Sequence, residues 1–408
     1  METESRSLQQ GSEKGSEKDS GKNSELQFWQ HPRFWPWLAQ GLVLALLALG
    51  VLYLGTNLTA NLQQKQLGFS FDFLRSQAGF NIGESVIDYS PTDVYLRALG
   101  VGLLNSLRIM VLGLVFATLI GVGVGIARLS SNWLLRQLAG VYVEVLRNTP
   151  LLLQLVFWYF AAFVSGPSFE QRLSILGDLS FSQRGILLPS FAVRLSAISW
   201  AICLGLGITL SRWVWHRQHR RRIESGEPIR PWFLAVITLL FWLSIAWVIT
   251  KETPFSFAWP SVRENTIQAG VLLTPEYSAL LLGLTLYTAA FIAEIVRGGI
   301  LAVPKGQWEA ARSLGLNPNL TLRLIIVPQA LRTIVPPLTS QYLNLAKNSS
   351  LAIAIGYPDL YAVASTTFNQ TGRALEVILL LMATYLTISL IISLTMNFYN
   401  RRIQIVER

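Results

Sequence analysis

The sequence predicts an all-α membrane protein with about eight spanning helices. First, 51% of its 408 residues are hydrophobic and only 14% are charged, where soluble domains carry about 25% charged residues. Second, the apolar residues gather into runs of about 20, the length that crosses a bilayer. Third, the lysines and arginines collect between alternate runs, as cytoplasmic loops of membrane proteins do. Mean hydropathy is +0.42, and 13 Trp and 12 Tyr suit a chain with two membrane–water interfaces. The net charge of +10 does not indicate nucleic acid, because the basic residues lie between apolar runs and not on one soluble face.

The chain opens with a Ser-, Gly-, Lys- and Glu-rich tail over 1–35, too poor in apolar residues to fold and read as disordered and cytoplasmic. Its stretch 15–23 fails as a phosphate loop: five residues separate Gly15 from Gly21, and Asn23 stands where Ser or Thr is required. The apolar run comes too late for a secretory signal. Spans are predicted at 37–55, 104–127, 139–165, 197–215, 232–250, 279–296, 325–345 and 375–399. The third and seventh contain polar residues or prolines. Thr149-Pro150 reads as a fresh helix start in the third, and Pro328, Pro336 and Pro337 as breaks in the seventh; broken helices line cavities.

Orientation follows from charge. Arg128 and Arg136 follow span two, and Arg212, Arg217, Arg220, Arg221, Arg222 and Arg230 follow span four. Arg297, Lys305, Arg312 and Arg323 follow span six, and Arg401, Arg402 and Arg408 follow span eight. The first alternate loop holds Asp72, Glu84, Asp88 and Asp93. Both termini are therefore expected in the cytoplasm. The basic stretch 216–230 suits anionic lipid headgroups.

Catalytic chemistry finds little support. Cys203 is the single cysteine and sits in an apolar run, so no intrachain disulfide forms. His31, His216 and His219 lack metal-site spacing. No catalytic residue and no metal site are predicted, and the loops show no nucleophile–base pair or paired carboxylates for a membrane-bound enzyme.

The informative stretch is 304–319. Pro304 suits a first helical turn, and Gly315 the left-handed residue past a helix end. Asn317 caps the next helix, with Pro318 at its first position. A short surface helix closed by a sharp corner follows, with Ala310, Ala311 and Leu314 on or near one face. Elsewhere, Glu294 and Arg297 are three apart and suited to pair, as are Glu144 and Arg147. Gln154, Lys347, Asn348, Ser349 and Ser350 lie beyond the helix breaks and are candidates to line a pathway.

Glu309-Ala310-Ala311, three residues, Gly315, nine residues, then Ile325-Ile326-Val327-Pro328 resembles the EAA motif of bacterial ABC importer permeases, with Val327 where the pattern usually has Leu. YTAAFIAEIVRGGI at 287–300, YVEVLRNTPLLLQ at 142–154 and Lys347-Asn348-Ser349-Ser350-Leu351 look like the polar amino-acid branch. The resemblance covers roughly 100–165 and 277–408. It implies a type I ABC importer permease core with two inserted helices and one extra N-terminal helix, similar to general L-amino-acid permeases of the inner membrane. The implied organisation is a tail (1–35), a first helix and external loop (36–98), a first core part (99–165), an insertion with two spans (166–275) and a second core part (276–408).

The resemblance further implies an ABC ATPase dimer docked on Glu309, Ala310, Ala311, Leu314 and Gly315. It implies a second, related permease chain, an external solute-binding protein and an amino-acid substrate. No cofactor is expected on this chain, since ATP would bind the ATPase partner. The alternatives are a permease for another small polar solute and a stand-alone secondary transporter. The latter needs coupling-ion residues and usually an internal repeat; no clear repeat is visible, and the 304–328 segment would be left unexplained.

Overall fold

The computed structural model describes residues 34–64, 69–176, 179–194, 196–225, 231–263 and 266–403. Most of the predicted tail, with Arg221, Arg222, Arg230 and Arg408, has no described placement or side chain. The chain divides into units 1–71 and 72–408. The first contains α1 (Phe34–Gln64), a helix apolar enough to span over Trp35–Asn57.

The second unit is a helical bundle carrying a small β layer. Its central pair is α2 (Tyr95–Ala127) and α7 (Pro275–Leu301). Residues 113, 117, 121 and 125 of α2 are Gly, Ala, Gly and Gly, and all are buried. Four-residue spacing puts them on one stripe. A Cβ at Gly121 would lie 2.6 Å from Ile292 Cβ, and one at Gly125 2.8 Å from the Ala293 carbonyl oxygen. Small residues are thus required, because the two backbones meet there; in a membrane such packing drives helix association.

The third predicted span is two helices, α3 (Trp133–Asn148) and α4 (Leu151–Phe157), the latter continuing as a wide turn over Trp158–Val164. Pro150 sits between them in extended backbone, with φ −60 and ψ 135. The insertion supplies α5 (Ser196–Ser225) and α6 (Pro231–Thr250). After α7 come α8 (Lys305–Ser313), α9 (Pro318–Thr321) and α10 (Val327–Asn348). A 3-10 stretch over Ser349–Ile355 leads to α11 (Leu360–Thr371) and α12 (Ala374–Ile403).

Among the described residues six helices are long and apolar enough to cross a membrane. The third and seventh predicted spans are the two outside that set: the third is divided, and the seventh is the more polar α10. Only one of the three expected proline breaks is seen. Pro328 follows directly on a wide turn over Leu322–Ile326 that separates α9 from α10. Pro336 and Pro337 lie inside a continuous helix, held by packing of its Ile334 and Leu345 in the shared core with α2, α7 and α12.

Among the described residues the insertion also contains eight short strands, which were not expected from the sequence. β1 (Leu173–Leu176), β2 (Leu179–Ser182), β3 (Gly185–Leu188) and β8 (Val271–Leu273) form an antiparallel sheet in that order. β4 (Ser190–Val193) pairs β5 (Phe255–Ala258), and β6 (Ser261–Arg263) pairs β7 (Thr266–Ala269). Each segment is only three or four residues long, below what periodicity separates from a loop. β8 runs into Thr274, whose Oγ1 caps α7 by accepting from the Tyr277 N–H at 3.2 Å. The β layer and the 72–94 segment therefore share the end of the bundle where α7 begins, and α8 lies at the other end.

Candidate functional site

At the end of the bundle away from the sheet, Pro304 precedes α8, and the helix closes on Gly315 at φ +70. Gly315 N–H donates to the Arg312 carbonyl at 2.9 Å, and Leu316 N–H to the Ala311 carbonyl at 3.1 Å. These two bonds make a Schellman closure, which needs a left-handed residue at that position. Asn317 Oδ1 then accepts from the Leu320 N–H at 2.9 Å and starts α9. The corner is therefore fixed by backbone bonds on the α8 side and by a side-chain cap on the α9 side. Gln329 Nε2 donates to Gln307 Oε1 at 3.2 Å, tying α8 to α10.

The residues of α8 sort by face. Ala311 is fully buried, and Trp308 packs on the core formed by α2, α7 and α10. Glu309 and Ala310 are exposed, and Leu314 is 77% exposed. Ala311 thus faces the chain's own core and not the outward surface expected for it with Ala310 and Leu314. The 100° step between neighbours puts Ala311 on the inner side once Trp308, three residues earlier, is anchored there.

One turn into the bundle, Glu294 receives Arg297 Nη2 at 2.6 Å, the pair expected from the spacing. Arg128, at the end of α2, also bonds Glu294, so one carboxylate clamps the ends of α2 and α7. The sequence could not show this, because 166 positions separate the partners. The expected Glu144–Arg147 pair does not form. Arg147 lies over the Phe291 ring, 5.1 Å from its centroid, where an aromatic face attracts a guanidinium.

The pathway candidates fall into two places. Gln154 is buried, and its Nε2 donates to the carbonyls of Leu146 (2.8 Å) and Thr149 (3.1 Å) and to Thr149 Oγ1 (2.7 Å). It ties off the carbonyls freed by the α3–α4 break, as the fresh helix start at Thr149-Pro150 requires. Lys347 and Ser350 line a cavity of about 530 Å³ with Tyr361, Phe368, Met382 and Tyr385. Ser350 Oγ donates to the Lys347 carbonyl at 2.8 Å, and the buried Ser349 Oγ to the Ala346 carbonyl at 2.9 Å. Asn348 is half-buried beside them. The residues lining the cavity thus supply one ammonium, the hydroxyls of Ser350, Tyr361 and Tyr385, and aromatic walls.

Behind it sits a polar cluster missing from the sequence reading. Asp359 caps α11, its Oδ1 accepting from the Ala362 N–H at 2.8 Å. Ser106 Oγ accepts from the Leu360 N–H at 2.9 Å, and Asn105 Nδ2 donates to the carbonyls of Glu84 (2.8 Å) and Pro358 (2.9 Å). Burial pushes the Asp359 carboxyl up to about 7, outweighing the hydrogen bonds that favour its charged form. An Asp just after Pro358 and before an apolar stretch is a legible cap signal; its burial is not.

Residues 113–405 match the family described as binding-protein-dependent transport system inner membrane component. The chain belongs to that family. As a permease of the binding-protein-dependent ABC type, it is a transport component and not an enzyme. The chain is 46% identical to a putative amino-acid ABC transporter permease protein of Escherichia coli, over 93% of this chain and 96% of that one. It is 42% identical to a general L-amino acid transport system permease protein of Rhizobium johnstonii, over 92% and 94%. A glutamate/glutamine/aspartate/asparagine transport system permease protein of Rhodobacter capsulatus is 39% identical, over 90% and 93%. Among solved structures, an amino acid ABC transporter with histidines is 22% identical over 76% of this permease and 95% of that chain, with a TM-score of 0.45. The matches to the three sequence relatives leave at most a tenth of this permease uncovered, less than the length of the insertion.

Proposed function

We propose that this permease carries L-amino acids inward through the bilayer, driven by a partner ATPase pair that docks on α8. The observation that carries this reading is α8 itself: its Trp308–Ala311 side is anchored in the core, while Glu309, Ala310 and Leu314 face out. A partner pressing on that surface acts directly on α7 and α10. In this reading α8 is cytoplasmic, the β layer is external, and both termini are cytoplasmic. A second, related permease chain completes the pathway, and an external solute-binding protein delivers the substrate. The relatives' substrates support the amino-acid class. Lys347 suits a substrate carboxylate, and the aromatic walls around it suit varied side chains. ATP is held by the ATPase partner and not by this chain.

The test is reconstitution in liposomes with the ATPase, the second permease and the binding protein. Uptake of labelled L-amino acids should require ATP and all four components. ATP hydrolysis by this chain alone, or uptake driven by an ion gradient without ATP, would overturn the assignment.

A further inference from the structure

The ribbon formed by β4 and β5 has two unlike faces. Phe191 lies directly opposite Phe257 in the register, and Ser190 opposite Ala258. Side chains alternate along strands, so Phe191, Phe255 and Phe257 share one face, while Ser190, Ser256 and Ala258 occupy the other. The aromatic face is the open one: Phe191 is 61% exposed, Phe255 46% and Phe257 58%. The ring centroids of Phe191 and Phe255 stack at 4.8 Å. Trp259, 57% exposed, meets Phe257 edge-on at 5.6 Å. At about 150–250 Å² per ring, four half-open rings make a patch of several hundred Å², as large as patches on soluble monomers that mark interaction sites.

Chain connectivity says what covers it. Val193 is three residues from the start of α5, and Phe255 five from the end of α6. At 20 residues and 1.5 Å per residue, α6 is about 30 Å long, the thickness of the hydrocarbon core. Its end at Thr250 therefore marks the membrane boundary. Three residues reach at most about 11 Å, so the ribbon begins within or just above the headgroup layer. The link is polar: Arg194 pairs with Glu252 at 3.5 Å, and Trp200 Nε1 donates to Thr250 Oγ1 at 3.2 Å and to the Glu252 carbonyl at 3.1 Å. Lys251 takes a left-handed backbone, φ 51, which turns the chain out of the helix axis on leaving α6. Both spans are sparsely covered by this chain, with 11% of their apolar stretches buried, so most of the surface of the helices that carry the ribbon is left for lipid.

We propose that the β4–β5 ribbon is a membrane-surface anchor that lays Phe191, Phe255, Phe257 and Trp259 into the phospholipid headgroup–acyl boundary beside α5 and α6. Aromatic rings settle at that boundary because it offers apolar contact and water together. The anchor fixes the inserted helix pair at its sheet end, where the four-stranded sheet joins it to α7. The inference rests on α5 and α6 crossing the membrane and holds for either orientation of the chain.

The test places a nitroxide at Phe257→Cys or Trp259→Cys, in separate full-length Cys203→Ala chains. These are held in nanodiscs of phosphatidylethanolamine and phosphatidylglycerol. Gln268→Cys, exposed on β7, is the water-facing control. Collision with oxygen, which concentrates in lipid, is compared with collision with a water-soluble nickel chelate. The oxygen-to-chelate ratio should be severalfold higher at 257 and 259 than at 268. Ratios equal to the control at both positions would overturn the anchor. So would poor access to both reagents, which puts protein over the ribbon, or shielding from the chelate only after a solute-binding protein is added. If one variant fails to insert, the other carries the measurement.

Discussion

Replacing Gly315 by Val tests whether the corner after α8 transmits force. Gly315 has φ +70 and nothing within 4 Å of the position a Cβ would take. The substitution therefore creates no clash, and its whole cost is conformational. A left-handed backbone costs an L-residue roughly 1–2 kcal/mol, and a β-branched side chain is the least tolerant of it. That energy shifts an equilibrium by about 5–30-fold, here away from the form in which Gly315 and Leu316 N–H groups close the helix. Gly315→Asn should cost much less, because Asn tolerates this region. In liposomes holding the full assembly, the Val variant should insert normally but lose uptake by about the same 5–30-fold. Its ATPase activity should respond only weakly to loaded binding protein, and Asn should restore most of both. Normal uptake and stimulation in the Val variant, or equal loss in the Asn variant, would refute the argument.

Three further outcomes are expected. The carboxyl of Asp359 is raised from 3.8 to about 7 in the folded protein, so the folded state binds the proton more tightly than the unfolded one. Its contribution to stability is present at low pH and is lost as pH rises toward and through 7; thermal melting of the detergent-solubilised protein between pH 5 and 8 should show this slope, and Asp359→Asn should flatten it. Gly125→Val would place a side chain where a Cβ already lies 2.8 Å from the Ala293 carbonyl oxygen. Overpacking of this kind costs about 1–3 kcal/mol, so the variant's melting temperature should drop, while Gly123→Ala, which meets nothing within 4 Å and removes a helix-interior glycine, should not lower it. Single cysteines at Arg220 and Glu309 should be labelled only from the cytoplasmic side of Cys203→Ala cells, and one at Asp88 only from outside; labelling of position 220 in intact cells would reverse the proposed orientation.

Part of the site was legible because its signals are local. Pro304, Gly315, Asn317 and Pro318 each act on backbone within a few residues of themselves, so the order of those residues already specifies a short helix and its corner. Glu294–Arg297 pairing follows from one helical turn. The Glu144–Arg147 expectation rested on the same rule and failed, since a tertiary neighbour, Phe291, took the arginine. Ala311 shows a related limit: helical spacing groups residues by face but does not say which face turns inward. Pro336 and Pro337 of α10 carry a local bias toward breaking a helix, which its packing with α7 and α12 overrides.

The sequence by itself determined a membrane protein, the places of its long apolar helices, the position of the surface helix and its resemblance to an importer permease. These depend on composition, on local backbone preference and on apolar runs of about 20 residues. Only the tertiary structure decided that Arg128 joins Glu294 across 166 positions, that Asp359 is buried beside Ser106, and that Lys347 and Ser350 open onto one cavity. It alone paired Phe191 with Phe257 across the inserted hairpin. Such contacts form when distant segments pack together, and their energy depends on burial and on partners that no local stretch of chain contains.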